Sequence, residues 1–148
     1  MSNDKIEQAQ SYWTRKRGNR SMPARGDIEP GEIKSLLPNV VLLDVLTDPL
    51  DFRYRLIGTE IDEHSAQKCT GLLMSEIPGR APPSNVWSNC QQVVETGKPS
   101  DMQVPYVGPH KDYVTTRQVV LPLSDDDKRV NMLMIVVDYL HGGRGASG

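Results

Sequence analysis

Hydrophobic positions recur along this chain with two different periods, and the change of period separates its elements. From Asp4 to Arg17 the residues Ile6, Ala9, Tyr12, Trp13 and Lys16 fall at three- and four-residue spacing, which predicts an amphipathic helix. Asp4 and Glu7 are spaced as a capping box, and Gly18 is placed to stop the helix. A helix this short is not stable alone. Its Tyr12-Trp13 stripe must therefore cover the outer face of a sheet or meet a second copy of the chain. Between Asn39 and Thr59 the period becomes two: Val40 to Leu46 and Phe52 to Ile57 flank Asp48-Pro49-Leu50-Asp51, and a β-hairpin follows. Proline at the second loop position predicts a type I turn. With Asp48 to Asp51 as the loop, Asp44 lies opposite Arg55, Val45 opposite Tyr54 and Leu43 opposite Leu56. One face then carries Val41, Leu43, Val45, Tyr54 and Leu56, and the other carries Leu42, Leu46 and Ile57 around the charged pair. Both faces are apolar, so both need cover. A slip of one residue would exchange them.

The same pattern predicts the remaining elements. Asp27-Ile28-Glu29-Pro30 opens a short helix that Pro38 ends. Thr59 caps a second short helix reaching Lys68, which carries Ile61, His64 and Ser65 on adjacent turns. An irregular stretch punctuated by Pro78-Gly79 and Pro82-Pro83 precedes a longer helix, Ser84 to Thr96, with Val86, Trp87, Cys90, Val93 and Val94 on one face and Gly97 as its stop. Three strands finish the chain: Met102 to Val107, Tyr113 to Leu123 and Val130 to Leu140, joined by turns at 108–112 and 124–128. The last is apolar almost throughout and is expected to be central. A hairpin and a three-stranded meander can join edge to edge, so the expected fold class is α/β in the α+β sense: a five-stranded antiparallel sheet with helices on one face and an N-terminal amphipathic helix.

Composition narrows the function classes. The 148 residues suffice for one domain and carry a formal charge of −2, so no global field draws the protein to nucleic acid or membrane. Five basic residues between Arg15 and Arg25 are read first as a helix C-terminus and a solvated loop, with an anion or nucleotide site as the sharper alternative. Cys69 and Cys90 form neither a CxxC pair nor a metal-ligand spacing, which suits reduced thiols in the cytoplasm. No apolar run approaches a spanning helix, and the N-terminus lacks the apolar core of a signal peptide.

At residue level the chain resembles the short, single-domain bacterial PAS proteins, a family without an assigned function. The resemblance rests on Tyr12-Trp13, Arg20-x-Met22-Pro23-x-Arg25, Asp27-Ile28-x-Pro30, Leu36-Leu37-Pro38, Leu43-Asp44-Val45, the run Phe52 to Thr59, Thr70-Gly71 and Leu121-Pro122-Leu123-Ser124, in that order. It extends over about Gln8 to Tyr139. It implies a PAS-like sheet and a sensory or regulatory module without chemistry of its own. A helix-lined cavity able to hold a small molecule is also implied, as is an N-terminal helix used in homodimerisation. The expected organisation is an N-terminal helix and basic loop over 1–26, a PAS-like domain over 27–140 and a flexible tail over 141–148. The chain stops soon after its last strand, so output would pass to a separate effector protein or through self-association.

No cofactor is expected. Haem-binding PAS domains place a histidine on the helix before the third strand, and Ser84 to Thr96 has none; Lys68-Cys69-Thr70 does not match the Asn-Cys-Arg-Phe type of motif of flavin photosensors. His64, His110 and His141 lack a paired ligand pattern, which favours surface or capping roles over metal binding. No nucleophile elbow, metal dyad or phosphate-cradling glycine loop indicates an enzyme. The pocket candidates are Val41, Leu43, Tyr54, Leu56, Trp87, Cys90 and Arg117. Arg117 either orients an anionic group inside the cavity or pairs with a strand carboxylate such as Asp138. The candidates for a dimer or partner contact are Ile6, Tyr12, Trp13, Leu42, Leu46 and Ile57. Three readings stay open: a ligand sensor, a pure interaction module with a filled core, and a nucleic-acid binder using the Arg15–Arg25 segment.

Overall fold

A computed structural model of the chain describes residues 4–65, 67–105 and 113–141. Helix α1 spans Lys5–Arg17. Asp4 caps it: one carboxylate oxygen accepts from the backbone N–H of Ile6 at 2.8 Å and of Glu7 at 3.2 Å. Gly18, at φ +60°, ends it. The stripe Ile6, Ala9, Tyr12 and Trp13 is buried within the chain itself. Trp13 donates its indole N–H to the Pro122 carbonyl at 2.8 Å, and the Tyr12 hydroxyl bonds Glu32 Oε1 at 2.7 Å. In place of one short helix after Asp27 there are three single turns of 3-10 helix, Arg25–Asp27, Pro30–Glu32 and Leu37–Asn39. The physical reason is that Pro30 and Pro38 each lack the N–H that a continuous helix would need.

The sheet contains β1 (Val40–Leu46), β2 (Asp51–Ile57), β3 (Ser100–Pro105), β4 (Tyr113–Leu123) and β5 (Met132–His141), in the order β2-β1-β5-β4-β3 with every neighbouring pair antiparallel. The apolar β5 is central, as its composition predicts. The turn expected over 108–112 lies outside the described residues, as does the expected 141–148 tail apart from His141, which instead ends β5.

The hairpin register differs from the one expected. Leu46 pairs with Asp51, Val45 with Phe52 and Leu43 with Tyr54, so the loop is Thr47 to Leu50. Asp48 sits at φ +58°, a left-handed conformation that Asp tolerates better than most residues, and the turn is not type I. Between Leu42 and Leu43 the register shifts, with Arg55 as the extra residue of a β-bulge. Beyond it, Val41 pairs with Ile57 and Leu42 with Leu56. The bulge therefore swaps the faces of two residues: Ile57 joins Val41 on the inner face, and Leu56 moves to the outer face, where it is 42% exposed. The Asp44–Arg55 ion pair survives at 3.2 Å, although Arg53 is now directly across from Asp44.

Two covers enclose the sheet. Outside, α1 lies over β4 and β5. Inside, α3 (Asn85–Thr96) buries Trp87, Cys90 and Val93, with Trp87 edge-on to Phe52 at 5.0 Å between ring centroids. The Ser84 hydroxyl accepts from the Trp87 N–H at 3.1 Å and caps α3; Gly97, at φ +68°, closes it. The short α2 (Thr59–Glu63) begins at Gly58, where a side-chain Cβ would collide with the backbone carbonyls of Leu37 and Pro38.

Two expectations follow. Gly58→Ala should cost on the order of 1–3 kcal/mol, read as a lower urea midpoint at unchanged slope, because backbone rather than a movable side chain blocks the new methyl. In the β4–β5 turn, Asp126 accepts from Ser124 Oγ, Lys128 N and Arg129 N, each at 2.9 Å, and these backbone bonds hold its carboxyl down at about 2. A depressed carboxylate stabilises the fold above its unfolded value of about 3.9 and ceases to as pH falls through about 2. Asp126→Asn should therefore unfold at a lower temperature than wild type at pH 7, and the gap should close between about pH 4 and about pH 2.

Candidate functional site: a cavity under the sheet

The segment between β2 and α3 is too short in regular structure to pack densely on the sheet. It runs first along the edge of β2, where Tyr54 N–H donates to the Leu72 carbonyl at 3.0 Å and Gly71 N–H to the Tyr54 carbonyl at 2.6 Å. This pairing covers the sheet edge. The chain then crosses back through a 3-10 turn, Met74–Glu76, and Ile77-Pro78-Gly79-Arg80 to α3. Between this strap and the inner face lies a cavity of about 530 Å³. That is the size of many small-molecule sites.

Its sheet wall comes from alternate residues of four strands: Val41, Tyr54, Thr116 and Gln118, and Ile135, Val137 and Tyr139. Its other wall includes Ile61 of α2, His64 and Ser65 just after it, Cys69, and Arg80 with Val86 from the strap and α3. His64 Nδ1 lies 2.7 Å from the Glu60 carbonyl, which can only accept, so that nitrogen carries the hydrogen. The ring stacks on Tyr139 with centroids 3.9 Å apart and planes 12° from parallel. Arg80 is half-buried, with its guanidinium carbon 5.3 Å from the centre of the Tyr54 ring and Nη2 donating to Ser65 Oγ at 3.1 Å. Its carbonyl accepts from Ser84 Oγ at 2.6 Å, which ties Arg80 to the cap of α3. Burial pushes the Tyr54 phenol above its ordinary value, while the Arg80 charge pulls the other way.

The structure brings together two of the seven pocket candidates, Val41 and Tyr54. Leu43, Trp87 and Cys90 are buried in the core and do not line the cavity. Leu56 is on the outer face because of the bulge. The pocket role of Arg117 is also corrected, while its alternative, pairing with a strand carboxylate, holds with Asp101 in place of Asp138. Thr116 and Gln118 point inward, so Arg117 between them points out, and it bridges Asp4 at 3.0 Å and Asp101 at 2.7 Å. Asp138 is across the ladder from Arg117, yet Arg117 forms its ion pairs with the other two carboxylates. Of the contact candidates, Ile6, Tyr12, Trp13 and Leu42 are buried inside the chain, and Leu46 and Ile57 are partly buried. His110 lies outside the described residues. His64 is not a surface residue: it caps the end of α2, as one of its two expected roles, and is also a wall of the cavity.

Sequence reasoning missed Arg80, His64, Thr116, Gln118 and Tyr139. For β4 there was a signal: Thr116 and Gln118 are polar on alternate positions of a strand whose next inward residue is Val120. For Arg80 there was none, since the strap has no periodicity. The basic segment is largely engaged: Lys16 pairs with Glu32 and Arg20 with Asp27, both at 2.8 Å, and Arg17 lies over the Trp13 ring. Among the described residues, no group of three or more His, Cys, Asp or Glu is placed to hold a metal ion, and no helix is long and apolar enough to cross a membrane.

A family model for the PAS domain matches residues 1–136, and the chain belongs to that family. Among solved structures, a sensory box sensor histidine kinase from Vibrio cholerae is similar with a TM-score of 0.54 at 14% identity, over 76% of this chain and 90% of that one. A fungal LOV domain photoreceptor is similar with a TM-score of 0.47 at 16% identity, over 91% of each chain. No curated protein matches the chain.

Burial pushes the Cys90 thiol up to about 12. Iodoacetamide at pH 8 should leave Cys90 unmodified in the native protein and alkylate it after unfolding, as peptide mass mapping would show.

Proposed function

We propose that the chain is a non-catalytic sensory or regulatory module, that its cavity holds a small molecule, and that its output passes to a second copy or a separate partner protein. The observation that carries this reading is the cavity of about 530 Å³ with Thr116 and Gln118 facing into it from the sheet. A module used only for protein contact has no need of polar side chains facing an open space beneath its sheet, where packed apolar groups would stabilise it more. Engagement of Lys16, Arg17 and Arg20 in contacts within the chain weighs against a nucleic-acid binder.

The route of output in this reading is β4. Its residues 116 and 118 face the cavity, and Arg117 between them holds Asp4, the capping residue of α1, from the other side of the sheet. A ligand that shifts β4 acts one residue from that clamp. Residues 1–26 are then the output segment and 27–141, through the end of β5, the sensing domain. Ile6, Tyr12 and Trp13 would serve a homodimer or partner contact only when α1 leaves the sheet, since they form its buried stripe, and Leu42, buried on β1, only when its own cover moves. Two free cysteines suit a cytoplasmic setting.

Val137→Phe tests the cavity without knowledge of the ligand. In an open cavity the larger ring is accommodated and the urea midpoint stays nearly unchanged, whereas in a filled core it costs on the order of 1–3 kcal/mol. Native mass spectrometry of the wild-type chain should show a releasable bound mass that Val137→Phe reduces. A fully destabilised variant together with a wild-type protein free of bound mass would overturn the reading.

A further inference from the structure

We propose that the ligand of this cavity is an anion, a carboxylate or phosphate on a small apolar body, and that Arg80 is the residue that anchors it. The inference rests on the cavity being a ligand site and adds the sign and chemistry of what it takes. It starts from charge. Among the described residues lining the cavity none is Asp or Glu, while Arg80 is one of them. The ion pairs of the described residues are made by other cations, Lys16, Arg20, Arg55 and Arg117. Arg80 is thus a half-buried cation whose described partners, Ser65 and Tyr54, are neutral.

A guanidinium has five N–H donors in a flat fork that matches a carboxylate or phosphate. Ser65 takes one of them, and its own hydroxyl donates at 3.0 Å to the Ile61 carbonyl, so its hydrogen-bonding is already directed. Tyr54 lies beside the guanidinium, its ring centre 5.3 Å from the guanidinium carbon, and its phenol takes a second donor, so three of the five remain for a ligand. Position is fixed as well. The backbone of Arg80 is held by the Ser84 cap on one side and by its N–H to the Ile77 carbonyl, 3.0 Å, on the other. An anchored side chain loses little freedom on binding, which is the arrangement a recognition residue needs.

The rest of the wall describes the remainder of the ligand. Val41, Ile135 and Val137 offer an apolar floor, the stacked His64 and Tyr139 rings offer a flat aromatic side, and Gln118 offers amide donor and acceptor. A small organic acid with a ring or short chain meets all three. A cationic ligand would meet Arg80 without any carboxylate to offset it.

The test uses the full chain, labelled with ¹⁵N, titrated with benzoate and phenyl phosphate and with the neutral isosteres benzamide and benzyl alcohol. At least one anion should bind about tenfold or more tightly than its neutral counterpart, the factor expected of a charge-assisted hydrogen bond, with shifts centred on Arg80, Ser65 and Gln118. Preference for benzoate or for phenyl phosphate tells the carboxylate from the phosphate. Arg80→Met, which keeps the apolar stem over Tyr54, should reduce the preference to within about twofold, and Arg80→Lys should restore part of it. Neutral probes binding as tightly as the anions in wild type would overturn the anion assignment and leave the cavity as a ligand site; this comparison stands even if Arg80→Met does not fold. Retained preference in folded Arg80→Met would overturn Arg80 as the anchor. No cavity shift with any of the four probes would overturn both readings.

Discussion

A sheet whose central strand is apolar on both faces has to be covered twice, and the rest of this structure depends on how the two covers differ. The β5 run Leu133 to Val137 is buried on either side of the sheet. On the outer side a regular helix, α1, supplies Ile6, Ala9, Tyr12 and Trp13 at a spacing that meets the sheet continuously. On the inner side the cover is made by α3 over one half and by a strap rich in proline and glycine over the other. Helices pack ridge into groove and leave few voids, whereas a strap held by its ends and by the β2 edge does not fill the space it crosses. The cavity lies where regular structure on the inner side runs out.

The same alternation that demands two covers also links them. On β4 the inward residues Thr116 and Gln118 line the cavity, and the outward Arg117 ties the first turn of α1 to the sheet and to Asp101 on β3. Asp4 performs two tasks with its two carboxylate oxygens, capping α1 and pairing with Arg117. Exposed ion pairs of this kind contribute little stability. Their value lies in position, because they hold the start of the outer cover at a strand that also walls the inner space.

Legibility in the sequence followed the regularity of the backbone. The α1 stripe, its Asp4 cap, the Ser84–Gly97 helix and the central β5 could be read because period and capping are local properties of the chain. Within the hairpin the strands were legible and the register was not: a single extra residue, Arg55, reversed the faces of Leu56 and Ile57. Of the cavity wall, Val41 and Tyr54 were legible as apolar residues of a covered face. Arg80 was not, since its strap has no repeat against which an inward side chain could be recognised; His64 shared a helical stripe with Ile61 and Ser65, but which way that stripe faced was not legible. Arg117 was left between two readings for a related reason. Its strand was correct, but the face of a strand is relative until its neighbours are known.

What the sequence by itself determined is the set of elements and the need to cover both faces of a five-stranded sheet, because helix stripes, strand alternation and terminal caps act between residues a few positions apart. Only the tertiary structure decided which face each side chain took, that Tyr12 and Trp13 were spent on the chain's own sheet, and that Arg80 came to rest on Tyr54 at the edge of an open space. Those outcomes depend on contacts between residues far apart in sequence, where one bulge or one irregular strap changes the partner of every side chain beyond it.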